Sequence, residues 1–198
     1  MALSPRPSEA ARDLCARFLH TAQREFPLKA SLADGTPIII RPLQPDDRQL
    51  EIDFLRGLSP RSRRLRFLCD FKQPSEALID QLMDVDHDHR DAFIALATVD
   101  DRLIEIGVGR YCATDDASAC ECAITVADDW QHRGLGTLLM RNLIEEAARR
   151  GFCHMMSVDA ASNRAMQALA AHFGFRRQLD PLDPTQVIHS LDLAAWRS

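Results

Sequence analysis

Two glycines separated by one residue, Gly134 and Gly136, stand where a strand-like run gives way to a helical pattern. Glycine has no Cβ, so a ligand can approach the backbone closely at both positions. The first N–H groups of a helix have no partner inside the helix and lie at the positive end of its dipole. The sequence therefore predicts a phosphate-binding site at this junction.

The elements on either side of the glycines are read from their apolar spacing. Residues 122–126 form a short apolar run that is typical of a strand. After the glycines, Leu135, Leu139 and Leu143 recur every four residues, as on one face of an amphipathic helix. The order strand, polar loop, helix would place the glycine backbone at a helix N-terminus.

The kind of phosphate ligand follows from what surrounds the glycines. A dinucleotide fingerprint needs a third glycine, but Leu139 stands there. A P-loop needs a lysine and a hydroxyl residue after its last glycine, but this chain has Thr137 and Leu138 there. The segment Gln-His-Arg-Gly-Leu-Gly at 131–136 instead resembles the Q/R-x-x-G-x-G/A pyrophosphate loop of the GNAT family of N-acetyltransferases. The resemblance implies that acetyl-CoA is the co-substrate. The alternative is a glycine-softened helix start without a ligand.

The resemblance also implies which residues hold the CoA. The backbone of residues 124–126 would hold the pantetheine arm, and the amides of residues 132–137 the pyrophosphate. Asn163, in a segment that resembles the family's second motif, would hydrogen-bond the arm; a plain helix N-cap is the alternative. The predicted CoA-binding residues are Ile124, Thr125, Val126, Gln131, His132, Arg133, Gly134, Leu135, Gly136, Thr137 and Asn163.

Acetyl transfer to an amine needs a general base, because a lysine amine with a pKa of about 10.4 is almost fully protonated at neutral pH. Glu121 is the only acid in the strand that leads to the glycine loop, so we predict that it is this base, directly or through water. The alternative is a solvent-facing glutamate at a hairpin edge. Many family members carry a tyrosine as leaving-group acid where this chain has Ala170, so that role is unassigned.

Residues 58–67, 87–91 and 121–131 resemble the acetyltransferase domain of bacterial Pat-type protein lysine acetyltransferases. This resemblance implies a protein substrate with an exposed lysine. A small-molecule amine acceptor and a non-catalytic acyl-CoA-binding regulatory module are the alternatives. The arginines at 61, 63, 64 and 66 form either a solvated helix face or a contact to the CoA 3′-phosphate or to an acidic substrate surface.

The predicted fold is α/β. The resemblance implies one GNAT-type domain, with a mixed, mostly antiparallel sheet that is flanked by helices and splayed at the fourth and fifth strands. We expect residues 28–198 to form this acetyl-CoA-binding domain. Residues 1–27 are expected to form an N-terminal helical extension, because a helical apolar stripe within residues 8–26 ends at Pro27.

Composition limits the remaining classes of function. The chain has 198 residues, of which 46% are hydrophobic and 27% charged, which is typical of a globular protein. A net charge of −5 argues against a nucleic-acid partner, and no apolar run approaches the roughly 20 residues of a membrane span. The first residues lack the apolar core of a signal peptide, so we predict a cytoplasmic location. The His and Asp residues of loop 84–91 have no second cluster to complete a metal shell, so no metal is expected.

Overall fold

The computed structural model describes residues 26–69 and 72–196, and eight strands within these ranges form a single sheet. The spatial order is β1-β2-β3-β4-β5-β6-β8-β7, and every neighbouring pair is antiparallel except the parallel pair β5 and β6. The strands are β1 (Leu28–Ser31), β2 (Pro37–Pro42), β3 (Arg90–Val99), β4 (Arg102–Ala113), β5 (Ala119–Val126), β6 (His154–Ala160), β7 (Arg176–Leu179) and β8 (Gln186–Asp192).

Helices cover both faces of the sheet. In the same residues they are α1 (Arg48–Gly57), α2 (Pro60–Phe67), α3 (Glu76–Met83), α4 (Leu135–Arg149) and α5 (Arg164–His172). One apolar core joins the sheet to α4 and α5, and a second joins its other face to α1 and α3. The predicted α/β domain with a mixed, mostly antiparallel sheet flanked by helices is confirmed.

The sheet opens between β5 and β6. Their pairing covers only three residues on each strand and ends at Glu121 opposite Met156. Beyond that point β5 stays paired with β4 as far as Val126, and β6 stays paired with β8 as far as Ala160. The strands therefore part and leave a cleft. They are the fifth and sixth strands here, because the sheet includes the additional edge strand β1.

Two glycines of β4 let α4 pack closely on the sheet. A Cβ at Gly107 would lie 3.1 Å from Cδ2 of Leu135, and one at Gly109 would lie 3.1 Å from Cδ1 of Leu143. Such contacts are tighter than ordinary van der Waals packing, so larger residues would push the helix outward. The close packing fixes the N-terminus of α4 directly behind the end of β5.

The predicted helix at 8–26 lies outside the described residues except for its last position, and the division of the chain at residue 27 stays a prediction. Phe26, at the start of the described part, stacks on Phe93 with ring centroids 5.3 Å apart. In the ranges that the structure describes, the helices are too short or too polar to cross a membrane.

Candidate active site

The cleft between β5 and β6 widens into a cavity of about 990 Å³, at the upper end of the usual range for small-molecule sites. Its walls come from α2, β5, the loop before α4, the start of α4, β6 and α5. Ten of the twelve predicted site residues line it: Glu121, Ile124, Thr125, Val126, Gln131, His132, Gly134, Gly136, Thr137 and Asn163.

The loop between β5 and α4 carries N–H groups without partners. Among the described residues no acceptor is found for the amides of residues 132–136, whereas the amide of Thr137 donates to the carbonyl of Gly134. His132 and Gly134 have φ values of 60° and 87°. Positive φ suits glycine but is uncommon for histidine, and such strain is concentrated at functional sites. The loop thus presents several donors to an anion at the N-terminus of α4.

The cavity, and not the packing of the protein, explains why residue 136 is a glycine. A Cβ built on this residue would meet Cδ2 of Leu169 at 3.6 Å, which is an ordinary contact. The fold would therefore accommodate a side chain there, but that side chain would occupy the space in front of the free amides. An anion can approach the backbone at Gly136 because no Cβ is present.

Arg133 and Leu135 are the two predicted residues whose side chains do not line the cavity. Nη1 of Arg133 lies 3.2 Å from Oδ2 of Asp34, and its guanidinium stacks over Trp130. The carbonyl of Arg133 also accepts a hydrogen bond from the amide of Ala33, in the turn between β1 and β2. Leu135 is buried in the core. Only the backbone of these two residues is therefore placed to contact a ligand.

Asp128 ties α2 to the glycine loop. It accepts hydrogen bonds from the amide and hydroxyl of Ser59, at 2.8 and 2.7 Å, and from the hydroxyl of Ser62 at 2.8 Å. Partial burial opposes ionisation, but these hydrogen bonds outweigh it and lower the pKa of Asp128. Nε2 of Gln131 donates to the carbonyl of Val126 at 3.2 Å, so this side chain closes the loop onto β5.

Glu121 lies at the inner end of the cleft. It is exposed, it lines the cavity, and it belongs to the last residue pair before β5 and β6 part. Thr125 shares its face of the strand, and in the described structure the buried Oγ1 of Thr125 has no hydrogen-bond partner. Val126 lies five positions after Glu121, which corresponds to about 16 Å of strand. A ligand arm could lie along this stretch between the carboxylate and the phosphate loop.

Asn163 caps α5. Its Oδ1 accepts a hydrogen bond from the amide of Met166 at 3.1 Å. Its amide group makes no other side-chain hydrogen bond in the described part of the chain, so Nδ2 is left for a ligand in the cavity. The N-cap interpretation is confirmed, and it leaves room for the predicted contact to CoA.

The cavity is also lined by charged residues whose individual roles were not predicted from the sequence: Arg61, Arg66, Asp159, Arg164 and His172. Burial and the positive charge of Arg110 lower the pKa of Arg66 to about 10, and the carboxylates of Glu51, Glu121 and Asp159 oppose that shift. Arg61 and Arg66 belong to the arginine cluster noted in the sequence. Asp159 comes directly after an apolar run in the sequence. An acidic residue at the end of such a run is the sequence signal by which Asp159 could have been predicted as a site residue.

Neither Tyr111 nor the polar loop at residues 84–91 lines the cavity. Tyr111 is buried and its hydroxyl lies 3.4 Å from the carbonyl of Asp88. Burial and the nearby carboxylates raise its pKa, so it is not placed to serve as leaving-group acid. In loop 84–91, Nδ1 of His87 pairs with Oδ1 of Asp91 at 2.8 Å. Within the described ranges no group of three His, Cys, Asp or Glu side chains could hold a metal ion.

Comparison with known proteins identifies the family and the fold. A family model described as "Acetyltransferase (GNAT) family" matches residues 60–175, which is more than half of the chain. The chain belongs to this GNAT family. A GNAT relative, "Acetyltransferase PA5475" from Pseudomonas aeruginosa, is 51% identical over 163 residues, which are 82% of this chain and 88% of that protein.

Pat proteins are among the further matches. "Acetyltransferase Pat" from Mycolicibacterium smegmatis is 28% identical over 149 residues, 75% of this chain but only 44% of that protein. The crystal structure of the GNAT domain of S. lividans PAT has the same fold, with a TM-score of 0.76, 22% identity and coverage of 84% of this chain and 96% of that one. This GNAT protein is therefore an acetyl-CoA-dependent N-acetyltransferase that is close to the Pat-type domains.

Proposed function

We propose that this GNAT protein transfers the acetyl group of acetyl-CoA directly to the side-chain amine of a protein lysine. The observation that carries the proposal is Glu121, an exposed carboxylate on the same cavity wall as the phosphate loop, at the point where β5 and β6 part. The likeness of residues 58–67 and 121–131 to Pat-type domains favours a protein acceptor. The similarity to "Acetyltransferase Pat" agrees with it.

In this proposal the chain holds acetyl-CoA at three places. The free amides of residues 132–136, at the positive end of the α4 dipole, hold the pyrophosphate together with the start of α4. Beyond Glu121 the edge of β5 that faces β6 has no strand partner, so its backbone groups are available to the pantetheine arm. The amide group of Asn163 contacts that arm from α5.

The reaction then needs few side chains. At neutral pH only about one lysine amine in 10³ is unprotonated, so Glu121 takes the proton, directly or through water. The amine nitrogen bonds to the thioester carbonyl carbon, and a backbone N–H of residues 124–126 stabilises the oxyanion. The nitrogen of the tetrahedral intermediate loses its second proton to solvent, and the carbon–sulfur bond breaks to release the CoA thiolate.

The acceptor can be identified by incubating the protein with labelled acetyl-CoA and a cell lysate. We expect label on lysines of a small number of proteins, and we expect the Glu121→Gln variant to leave them unlabelled. Label that is confined to small molecules would contradict the protein-lysine proposal. Equal release of CoA with and without any amine acceptor would contradict acetyl transfer to an amine and favour the acyl-CoA-binding regulatory module.

A small-molecule amine is the second candidate, and Arg66 favours it. Its guanidinium lines the cavity and stacks on Phe67, and the described residues supply no ion pair for it. A planar guanidinium in a half-buried site suits a carboxylate on a small acceptor. Faster turnover of an amino acid than of a lysine peptide, lost in Arg66→Gln, would support this candidate. The cytoplasmic location stays a prediction under either function.

A further inference from the structure

A hydrogen-bonded network of three side chains lies behind the wall of the cavity. Oδ2 of Asp159, on β6, accepts a hydrogen bond from the hydroxyl of Ser157 at 2.7 Å and lies 3.1 Å from Nδ1 of His189. A carboxylate oxygen only accepts, so Nδ1 of the imidazole must carry the hydrogen. Ser157 and His189 are direct neighbours across β6 and β8. Two strands therefore hold the same carboxylate oxygen.

The network is buried on one side and open on the other. Ser157 and His189 are 2% and 1% exposed, while the Asp159 side chain is 14% exposed and lines the cavity. Among the described residues Oδ1 of Asp159 has no hydrogen-bond partner, and neither does Nε2 of His189. Burying Nε2 of His189 without a hydrogen-bond partner costs stability. Stabilisation of the sheet alone therefore does not explain why these three side chains are arranged in this way. The network fixes Oδ2 of Asp159 in position and leaves Oδ1 for the cavity.

Asp159 and Glu121 both line the cavity, from the two strands that part there. Both carboxylates act on the guanidinium of Arg66 and on the buried thiol of Cys122, although they belong to different strands. The arginines that line the cavity, Arg61, Arg66 and Arg164, form no ion pair with Asp159 or Glu121 within the described residues. Oδ1 of Asp159 is therefore available to a further cation, which would be partly desolvated there.

We propose that Asp159 binds the protonated amine of the acceptor, and that Ser157 and His189 position it. The inference rests on the proposed function and narrows its acceptor to an amine that is charged at neutral pH. Asp159 and Glu121 then differ in their tasks. Asp159 accepts hydrogen bonds from two donors, and it binds and orients the ammonium. Glu121 makes no side-chain hydrogen bond within the described residues, and it receives the proton.

The charge of the acceptor provides the test. Two synthetic peptides would be compared. One carries a lysine, and the other carries an aminooxy group, which is uncharged at pH 7, in place of the lysine ammonium. In Asp159→Asn we expect the KM for the lysine peptide to rise about tenfold or more, since hydrogen bonds to charged groups are the strong ones. The KM for the aminooxy peptide should change less than twofold, and affinity for acetyl-CoA should be unchanged.

Two further variants separate positioning from general damage. His189→Gln keeps a donor near Oδ2, so the KM for the lysine peptide should rise only about threefold, again without effect on the aminooxy peptide. Asp115→Asn, which removes an exposed carboxylate away from the cavity, should behave as the wild type. An equal rise in KM for both peptides in Asp159→Asn would show a merely structural role, and no rise would show that Asp159 does not contact the acceptor. Either result overturns the inference.

A binding measurement keeps this inference distinct from the proposed function. Butylammonium mimics the end of a lysine side chain, and 1-pentanol is an uncharged molecule of similar size. In ligand-observed NMR with CoA-saturated protein, we expect butylammonium to bind more tightly than 1-pentanol, and Asp159→Asn to remove the difference. If the wild type acetylates neither peptide, the proposed function has failed, and this measurement alone decides. Equal butylammonium binding in both proteins would overturn the inference.

Discussion

Glu121 makes no side-chain hydrogen bond within the described residues, whereas Asp159 is held through Oδ2 by Ser157 and His189. An unheld carboxylate can turn between an amine, a water molecule and solvent, which suits a group that accepts a proton and releases it again. A held carboxylate offers a fixed acceptor, which suits orientation. At the scale of single residues, hydrogen bonding therefore distinguishes two side chains of the same chemical type.

The Glu121→Gln variant tests the base. Glutamine keeps the shape of the side chain but cannot accept the proton, so kcat at pH 7 should fall by about 10²-fold or more. The Kd for acetyl-CoA should stay within twofold of the wild type. Raising the pH should restore part of the lost rate, because solvent then deprotonates the amine. Steady-state kinetics and calorimetry measure these quantities.

Glu76→Gln is the matched control for this prediction. Glu76 is an exposed glutamate that pairs with Arg48 on the surface, and such pairs contribute little. Its kcat should equal that of the wild type. Wild-type turnover in Glu121→Gln at pH 7 would mean that the base is another residue, and Asp159 would be the first alternative.

Some residues of the site could be predicted from the sequence and others could not. The glycines and Glu121, which line the cavity, could be predicted because their signals are local: a strand, a loop and a helix that follow one another within about thirty residues. The bracing of Arg133 by Asp34 joins segments about a hundred residues apart, and no spacing rule reveals it. The network of Asp159 depends on the register of β6 against β8, which the sequence alone does not set.

At the scale of elements, the carboxylate of Asp128 joins the loop before α4 to α2. The N-terminus of α2 and the turn Asp128–Trp130 share three hydrogen bonds to that carboxylate. Because α2 contacts β5 and β6, it closes one side of the cleft while its first turn supports the loop. The sequence predicted α2 as a short helix with a basic face, but it did not predict where the helix packs.

The Asp128→Ala variant tests this coupling. Loss of hydrogen bonds to a charged acceptor should lower the free energy of unfolding by about 1–3 kcal/mol. Affinity for acetyl-CoA should fall roughly three- to tenfold, because the loop loses its support. The lowered pKa of Asp128 means that its stabilisation is present above the ordinary aspartate pKa and is lost as the pH falls through the lower folded value. The stability difference from wild type should therefore shrink in acid.

Asp129→Ala provides the control, since the neighbouring Asp129 is exposed and shares none of these hydrogen bonds. Chemical denaturation across a pH series measures the stability of all three proteins. Equal stability and equal affinity for acetyl-CoA in Asp128→Ala and Asp129→Ala would contradict the coupling.

At the scale of the whole molecule, a buried cluster of charged residues joins the sheet to α1. Glu51 of α1 pairs with Arg110 of β4 at 3.0 Å, and Glu105 of β4 is buried beside them. Burial and the nearby charge of Glu51 raise the pKa of Glu105 well above its ordinary value. Glu105 therefore takes up a proton on folding at pH values between the ordinary and the raised pKa.

Stability should consequently fall as the pH rises through that window, because the unfolded chain binds fewer protons there than the folded one. The slope for one proton is about 1.4 kcal/mol per pH unit. Glu105→Gln removes the titrating group, so its free energy of unfolding should lose this slope and exceed that of the wild type at high pH. Urea denaturation between pH 5 and pH 9 measures this, with Asp115→Asn as a control that keeps the slope. A slope that persists in Glu105→Gln would contradict the assignment.

Gly136→Val tests whether acetyl-CoA is held by the backbone of the loop before α4. A Cβ at this position meets little of the protein, so the variant should fold, but its branches would stand in front of the free amides. Gly57→Val is the matched control, because Gly57 ends α1 with open space around it and lies away from the cavity. Calorimetric titration with acetyl-CoA should show at least tenfold weaker binding for Gly136→Val and wild-type binding for Gly57→Val. Unchanged affinity in a folded Gly136→Val protein would show that this loop does not hold acetyl-CoA.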